Sequence, residues 1–415
     1  METKKEQEKV VLVGVQTRET NSDFTYSLKE LAQLTETALG RVVGELTQKR
    51  ERVDSRTFLG KGKLEELAQL VEETEADVVI FNQALTPGQT RNIQEVIDIK
   101  IIDRIQLILD IFAMRAKSKE GKLQVELAQL QYMLPRLAGQ GIGLSRLGGG
   151  IGTRGPGETK LETDRRHIRD QVNDIKKTLK ETEKHRSRSR IQRKESGIFQ
   201  VGLIGYTNAG KSTLLNALTQ ADTHEEDQLF ATLDPLTRKL VLPTGTMVTL
   251  TDTVGFIQDL PTELIEAFQS TLEETRNVDL LLHVVDSSAE NMAGHERTVI
   301  KLLKDLGMDH IPLLTVYNKK DLADQLFSPG LFPNVFISAR DSSDVVILLE
   351  EIINRMKSIM IPYQIRINVS EGHKLVRLKQ ETLLTSEEYV EEANNYLVKG
   401  FIKKESKWNG ENQLK

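Results

Sequence analysis

Short apolar runs alternate with amphipathic stretches through the first part of the chain. Apolar side chains recur at helical spacing over residues 26–39 and 63–73, and a third helix is predicted to begin at Pro87. The strand-like runs lie at residues 10–15, 41–46, 77–81 and 101–104. Because strands and helices alternate, we predict an α/β domain with a parallel sheet over residues 1–112. Residues 58–63, rich in Gly and Lys, are interpreted as a solvated loop in preference to an anion site.

Residues 113–196 have the pattern of two amphipathic helices joined by a glycine-rich loop. The first helix is predicted to end near Pro135, and the two helices form a helical hairpin or short coiled coil. Their apolar positions are Leu123, Leu127, Leu130 and Leu134 in the first helix, and Leu161, Ile168, Val172, Ile175 and Leu179 in the second. The many glycines of residues 139–157 exclude an ordinary helix or central strand there.

Basic side chains are concentrated at the end of the second helix and in the loop before it. Residues 184–194 contain Lys and Arg without a carboxylate, and the loop carries Arg146 and Arg154. We interpret this region as a contact to the phosphate backbone of a nucleic acid, in preference to a plain solvated face. The formal net charge of −5 argues against a uniformly basic coat.

Residues 205–212 fit the phosphate-binding pattern G-x-x-x-x-G-K-[ST]. An apolar, β-rich run precedes them at residues 198–204, and a helical pattern follows at residues 213–218. Glycines allow successive backbone N–H groups and a helix N-terminus to approach a polyphosphate closely. Lys211 can then reach the β- and γ-phosphates, and the Ser212 hydroxyl can ligate Mg²⁺. The pattern predicts a bound nucleoside triphosphate.

Two later motifs predict contacts to the γ-phosphate and its metal ion. A predicted strand leads into Asp252, which stands where an acid holds the Mg²⁺ shell, and the Gly255 N–H can meet the γ-phosphate. Thr232 supplies a second hydroxyl for Mg²⁺, with Thr237 as a weaker candidate. Each of these residues is typical of a nucleotide switch that responds to the γ-phosphate.

A further pair of motifs predicts recognition of guanine. Asp321 follows an apolar strand at residues 311–317, and its carboxylate can accept hydrogen bonds from guanine N1–H and the 2-amino group, neither of which adenine offers. The stem of Lys319 can lie against the base, and backbone N–H groups of residues 338–340 can meet the guanine O6. The order of these motifs, each at the end of a predicted strand, indicates a GTPase domain. A metabolic kinase is disfavoured, because these motifs serve base recognition.

The predicted site residues fall into three groups. Those assigned to catalysis are Lys211, Thr232 and Gly255, and those assigned to the metal are Ser212 and Thr232. Those assigned to nucleotide binding are Gly205, Tyr206, Thr207, Asn208, Ala209, Gly210, Lys211, Ser212, Phe230, Ala231, Thr232, Leu233, Asp234, Asp252, Thr253, Val254, Gly255, Asn318, Lys319, Lys320, Asp321, Ser338, Ala339 and Arg340.

Length and composition limit the number of domains, the kinds of site and the expected location of the protein. A chain of 415 residues is too long for one core, and we predict domains at 1–112, 113–196, 197–357 and 358–415, the last a small α+β domain. The absence of cysteine excludes disulfides and thiolate metal sites. The N-terminus leads into no signal-peptide pattern, and no apolar run is long enough to span a membrane, so a cytoplasmic protein is expected. A monomer is also expected.

The ordered motifs, together with residues 230–235 (Phe-Ala-Thr-Leu-Asp-Pro) and the glycine-rich residues 146–158, resemble the HflX GTPases of the Obg–HflX group. The resemblance covers essentially the whole chain. It implies a P-loop GTPase, using Mg²⁺ with GTP or GDP, that binds the large ribosomal subunit and splits or rescues stalled ribosomes under stress. It also implies that the N-terminal and helical regions contact ribosomal RNA. Two positions depart from the usual pattern, Leu236 in place of a common Thr and Arg340 in place of a frequent Lys.

Phe256 occupies the position where many switch GTPases carry a glutamine that orients the attacking water. An apolar ring cannot orient water, so we predict slow intrinsic hydrolysis that is stimulated by the ribosome. The alternative function is a GTP-dependent regulatory scaffold that acts on proteins rather than RNA. Nuclease-sensitive co-purification with ribosomes would distinguish the two.

Overall fold

The computed structural model describes residues 7–137, 160–195, 197–219, 229–230, 232, 235–257, 275–325, 327–391, 394–404, 406 and 408, with residues 160–164 and 184–195 described by their backbone alone. The predicted glycine-rich loop, the side chains of the basic run, and Ala231, Leu233 and Asp234 lie outside the described residues. The described residues form two compact units that divide between Glu181 and Thr182.

The first unit contains the predicted parallel α/β domain. Its strands pair in the order β2-β1-β3-β4, all parallel, so the predicted fold class is confirmed for this region. The elements are β1 Lys9–Gln16, α1 Asn21–Thr37, β2 Arg41–Lys49, α2 Lys61–Thr74, β3 Val78–Phe81, α3 Pro87–Gln94, β4 Lys100–Asp103, α4 Arg104–Arg115, α5 Lys119–Leu137 and the first part of α6 Lys160–Glu195. β1 and β3 are buried along nearly their whole length, as expected for central strands of a parallel sheet.

Local capping explains where two helices differ from the sequence prediction. Helix α1 begins five residues earlier than predicted, because the Thr20 side chain accepts the Asp23 backbone N–H and caps the first turn. It ends before Leu39, whose φ of 65° is left-handed. Helix α3 begins at Pro87 as predicted, with a capping box formed by Thr86 and Gln89. The helical spacing also predicts Val96 on its apolar face, but Val96 lies beyond the helix end and is exposed.

The predicted helical pair is present as α5 and α6. Leu127 of α5 and Val172 and Ile175 of α6 form a small buried cluster. The apolar residues packed against that cluster are Leu123, Leu130, Ile168 and Leu179. The heptad-like spacing therefore predicted the contact correctly. Pro135 lies inside the last turn of α5, two residues before its end at Leu137.

The second unit contains a sheet ordered β10-β9-β8-β5-β7-β6 and a separate sheet ordered β11-β13-β12. In the first sheet only the edge pair of β6 and β7 is antiparallel, so the carboxyl ends of the remaining strands meet at one edge. The elements are β5 Phe199–Gly205, α7 Lys211–Thr219, β6 Leu236–Val241, β7 Met247–Asp252, β8 Leu280–Asp286, α8 Met292–Asp305, β9 Leu313–Asn318, β10 Asn334–Phe336, α9 Ser342–Ile359, β11 Ile361–Asn368, α10 Gly372–Glu381, β12 Leu383–Val390 and β13 Asn395–Ile402.

The C-terminal sheet and α10 form the predicted small α+β fold, in which β12 is an element that the sequence did not indicate. This fold is attached to the larger sheet by buried contacts. Leu383 belongs to the core of the larger sheet, and the Thr246 hydroxyl donates to the Thr382 carbonyl over 2.9 Å. Lys403 pairs with Asp279 at 2.8 Å. The four domain boundaries themselves stay a prediction, and the one placed after residue 357 falls inside α9.

A search of the described part of the chain finds no helix with the length and apolar character that a membrane span requires.

Candidate nucleotide-binding site

The segment of residues 205–212 joins the end of β5 to the start of α7, as its pattern predicts. Two of its glycines are required by close approach. A Cβ on Gly205 would clash with the Val284 carbonyl oxygen of the neighbouring strand, and a Cβ on Gly210, whose φ is 90°, would clash with the Asn318 amide. The segment is therefore held tightly against β8 and the end of β9, with its backbone free to approach a ligand.

Lys211 is buried beneath this segment. Its ammonium donates to the backbone oxygens of Gly205 at 3.1 Å and Tyr206 at 2.8 Å. Burial lowers the pKa of Lys211 to about 8, while the nearby Asp252 carboxylate acts in the opposite direction. The ammonium is thus held against the backbone of this segment, where the pattern predicts phosphates.

Three oxygens meet beside Lys211. The Ser212 hydroxyl lies 2.7 Å from the Thr232 hydroxyl, and both donate to Asp252 Oδ2 over 2.9 Å. The second Asp252 oxygen is buried and has no hydrogen-bond partner among the described residues. Burial raises the pKa of this carboxyl, and the Lys211 charge opposes that rise. The weaker candidate, Thr237, instead contacts Thr251 across the β6–β7 pair at 2.9 Å.

This oxygen set fits Mg²⁺, a hard cation that takes oxygen ligands and is bound through few protein groups together with substrate phosphates. The buried Asp252 oxygen supports the fit, because an unpaired buried carboxylate oxygen is costly. In the described residues no cluster of three or more His, Cys, Asp or Glu side chains could hold a metal. A site that combines one carboxylate with two hydroxyls is compatible with that finding.

Gly255 and Phe256 lie against the same loop. The Phe256 N–H donates to the Gly205 carbonyl at 3.1 Å, and the Thr207 N–H donates to the Phe256 carbonyl at 2.7 Å. A Cβ on Gly255 would stand 3.0 Å from the Lys211 ammonium, so the Gly255 backbone lies beside that charge. The Phe256 ring is buried. Its backbone therefore fastens the segment to the phosphate-loop region, a role that the sequence did not indicate.

Other predicted residues of this half of the site are also buried. The Thr253 hydroxyl donates to the Leu203 carbonyl at 2.7 Å, and Val254 packs in the core. Phe230 is buried with a left-handed φ of 57°. Asn208, in the phosphate-loop segment, is exposed instead, and it is also left-handed with a φ of 58°. Ala209 is buried in the core of the sheet.

A cavity of about 360 Å³ opens next to the loop. It is lined from three directions, by the phosphate-loop segment, by the loop after β9 and by the loop after β10. The predicted residues that line it are Asn208, Gly210, Asn318, Lys319, Asp321, Ser338, Ala339 and Arg340. Thr213 and Leu322 also line it and were not predicted. Lys320 was predicted to contribute, but it is absent from this lining, and its ammonium instead pairs with Asp344.

Asn318 joins the three lining segments. Its amide donates to the Ala209 carbonyl at 3.0 Å, and its side-chain oxygen accepts the Ala339 N–H at 2.9 Å. Its own carbonyl accepts both the N–H and the hydroxyl of Ser287, at 3.0 and 2.6 Å. Lys319, with a φ of 62°, pairs with Asp286 at 2.7 Å. Neither Asp286 nor Ser287 was found from the sequence, although Asp286 is the last residue of β8 and Ser287 follows it directly.

Asp321 is exposed at the rim of this cavity. A hydrogen bond from the Ser338 hydroxyl holds the pKa of Asp321 below its ordinary value, with smaller contributions from Arg340 and Lys319. The carboxylate is consequently ionised at neutral pH and able to accept hydrogen bonds from a base. The backbone amides of the neighbouring loop differ from expectation. The Ser338 N–H donates to Asp344 at 2.8 Å and the Ala339 N–H to Asn318, while the Arg340 N–H has a long contact of 3.4 Å to the Ser338 hydroxyl.

Three family models match the chain in succession. One described as the N-terminal region of GTP-binding GTPases covers residues 25–113, and one described as their middle region covers residues 115–193. A third, described as a 50S ribosome-binding GTPase, covers residues 200–319.

Curated relatives match along most of the chain. The GTPase HflX of Alkalihalophilus pseudofirmus is 55% identical and covers 95% of this chain and 93% of its own length. The GTPase HflX of Escherichia coli is 41% identical, with 85% of this chain and 84% of that protein covered. A solved structure of a GTP-binding protein from Sulfolobus solfataricus with GDP is 24% identical, covers 84% of this chain and 98% of that chain, and has a TM-score of 0.43, a likeness too low to bear on the site.

Proposed function

The chain belongs to the family of HflX GTPases, and on that premise we propose that it is a guanine-nucleotide switch of the large ribosomal subunit, which splits or rescues stalled ribosomes. It binds GTP and GDP and hydrolyses GTP. The observation that carries the proposal is the meeting of the phosphate loop with the cavity bounded by Asn318, Asp321 and Ser338. The phosphate part and the base part of one nucleotide would then lie on the same continuous edge of the sheet.

The guanine contact is assigned to Asp321. Its carboxylate is ionised and lies at the cavity rim. It would accept hydrogen bonds from guanine N1–H and from the 2-amino group. Asp321→Asn turns one acceptor into a donor, so it should weaken GDP binding and favour xanthosine diphosphate, whose 2-position carries an oxygen. Binding of both nucleotides by fluorescence titration tests this assignment. Unchanged GDP preference in Asp321→Asn would contradict it.

The phosphate contacts are assigned to the buried half of the site. Lys211 holds a positive charge beside the Gly255 backbone, and Ser212, Thr232 and Asp252 offer the oxygens that suit Mg²⁺. When bound, Mg²⁺ would neutralise charge on the β- and γ-phosphates. Gain and loss of the γ-phosphate would order and release the segments that carry Thr232 and Gly255. Removal of Mg²⁺ with a chelator should therefore weaken GTP binding more than GDP binding.

Binding to the large ribosomal subunit is supported by the family description of residues 200–319 and by the paired helices α5 and α6 that precede them. Basic residues 184–194 lie at the end of α6, where we assign them to phosphate contacts on RNA. Co-sedimentation of the full chain with purified 50S subunits tests this assignment. Binding should depend on GTP, weaken as salt is raised, and be lost after nuclease treatment of the subunits.

Subunit splitting is tested by incubating 70S ribosomes with the chain and GTP and resolving the products on a sucrose gradient. The proposal predicts a rise in free 30S and 50S subunits that is absent with GDP. An unchanged 70S peak, together with nuclease-resistant capture of proteins, would instead support the scaffold function.

A further inference from the structure

Asp344 is a buried carboxylate in the first turn of α9, outside the predicted site. Its Oδ2 accepts the Ser338 backbone N–H at 2.8 Å, and its Oδ1 lies 3.0 Å from the Lys320 ammonium. Lys320 belongs to the loop after β9 and Ser338 to the loop after β10, and residues of both loops line the base cavity. One carboxylate therefore joins the loop after β9 to the loop after β10.

This carboxylate is not needed to cap its own helix. Asp341 is the N-cap of α9, and its side chain accepts the Ser343 N–H at 2.9 Å and the Ser343 hydroxyl at 2.7 Å. Asp344 is thus directed away from the helix end toward the cavity loops. A buried carboxylate is costly to keep, unless it is paired and hydrogen-bonded as this one is.

The contact continues to the base-binding carboxylate. Asp344 holds the Ser338 backbone, and the Ser338 hydroxyl in turn holds the pKa of Asp321 below its ordinary value. Lys320, which directly precedes Asp321, is held by Asp344 through its ammonium and by Ile337 through its backbone N–H, at 3.1 Å. Both neighbours of the Asp321 carboxylate are therefore fixed by one buried side chain.

We propose that Asp344 is a positioning residue for guanine recognition, which sets the orientation of Asp321 through Ser338 and Lys320. By accepting the Ser338 N–H, it also turns that amide away from the base, so Ser338 contributes its hydroxyl and Asp344 determines where that hydroxyl points. Lys320 serves as the charge partner of the buried Asp344 carboxylate. This inference rests on the proposed assignment of Asp321 to guanine.

The test compares affinities of the full chain for GDP and for inosine diphosphate. The base of inosine diphosphate lacks the 2-amino group that would donate a hydrogen bond to Asp321. Asp344→Ala removes both contacts, and Asp344→Asn keeps an acceptor for the Ser338 N–H but loses the charge facing Lys320. Loss of a hydrogen bond to a charged group corresponds to roughly tenfold or more in affinity. We expect Asp344→Ala to weaken GDP binding by about that factor and inosine diphosphate binding by less, with Asp344→Asn between wild type and Asp344→Ala.

Two further variants separate positioning from simple loss of stability. Asp341→Ala removes the cap of the same helix without touching the cavity, so it should lower the melting temperature and leave the ratio of the two affinities unchanged. Lys320→Met should have a small effect in wild type and none in the Asp344→Ala background, because its partner is already gone.

Equal losses of GDP and inosine diphosphate affinity in Asp344→Ala would overturn the inference. So would an Asp341→Ala variant that changes the ratio as much. The Asp321→Asn variant distinguishes failure of the guanine assignment from failure of the positioning role of Asp344. If it shifts preference to xanthosine diphosphate while Asp344→Ala leaves the ratio unchanged, only the positioning role fails; if it causes no shift, the guanine assignment itself fails.

Discussion

Replacing Asn318 with alanine removes the side chain that joins the phosphate loop to the base cavity. Asn318 is buried and makes two side-chain hydrogen bonds, one to the Ala209 carbonyl and one from the Ala339 N–H. Both partners belong to segments that line or support the cavity. After the substitution, the Ala209 carbonyl and the Ala339 N–H both lose their hydrogen-bond partner.

The magnitude follows from these two contacts. Each hydrogen bond contributes about 1 kcal/mol net, and each buried group left unpaired adds up to about 1 kcal/mol once water enters the space. The sum is about 2–4 kcal/mol, which corresponds to roughly 30- to 700-fold weaker GDP binding at about 1.4 kcal/mol per factor of ten. We expect most of this cost in binding, because the loops of the free variant can relax and must be ordered again by the nucleotide.

The assay is a titration with fluorescent GDP, accompanied by thermal unfolding of the nucleotide-free protein. Asn334→Ala is the matched control, since Asn334 also donates a side-chain hydrogen bond, 2.7 Å to the Leu331 carbonyl, but does not line the cavity. It should leave GDP affinity within about twofold. An Asn318→Ala variant that binds GDP as tightly as the Asn334→Ala control would refute this account of the site.

Three further predictions concern other parts of the second unit. Phe256→Gln should not accelerate GTP hydrolysis, and it should lower the free energy of unfolding by about 2–4 kcal/mol, because the side chain is buried and the new amide has no room to reach water. Burial, aided by the nearby Lys211 charge, holds the pKa of His283 at about 3, so the folded chain keeps it neutral while the unfolded chain takes up a proton below about pH 6.5. Stability should therefore fall by up to about 1.4 kcal/mol per pH unit between about pH 6.5 and 3, and His283→Leu should flatten that dependence. Thr246→Val should lower the free energy of unfolding by about 1–2 kcal/mol, because the buried Thr382 carbonyl loses its donor.

A specific result would contradict each of these three predictions. A faster GTPase in Phe256→Gln, measured by phosphate release, would mean that the side chain can reach the attacking water. His310→Leu, at an exposed histidine, is the control for His283, and an unchanged pH dependence in His283→Leu would locate the acid sensitivity elsewhere. A Thr246→Val variant with wild-type denaturation in urea would mean that the contact to the C-terminal fold does not contribute to stability.

Local sequence signals were sufficient for the alternation of strands and helices in the first unit and for the strands β5, β7 and β9 of the second. Alternation of apolar runs predicted the parallel sheet of the first unit, and the spacing of Leu127, Val172 and Ile175 predicted the contact between α5 and α6. The phosphate-loop pattern and the Asn318–Asp321 motif predicted two of the segments that line the cavity. These signals succeed because each depends on residues close together in sequence.

The parts that were missed depend on contacts between residues far apart. Asp344 contacts Lys320 across 24 positions, and Thr246 reaches Thr382 across 136. The Ser338 and Ala339 amides were expected to face the base, but they already donate to Asp344 and Asn318. No local pattern specifies such partners, because the pairing is set by how the loops pack after the sheet has formed.

The measurement that tests the central claim most directly is the rate of GTP hydrolysis by the full chain with and without purified large ribosomal subunits. The buried Phe256 ring offers no group that can orient water, so the chain alone should hydrolyse GTP slowly. Stoichiometric 50S subunits should raise the rate, within the range of about 10³- to 10⁵-fold that in-trans activation reaches in other GTPases, and 30S subunits should not. A fast rate for the chain alone that 50S subunits leave unchanged would contradict the account.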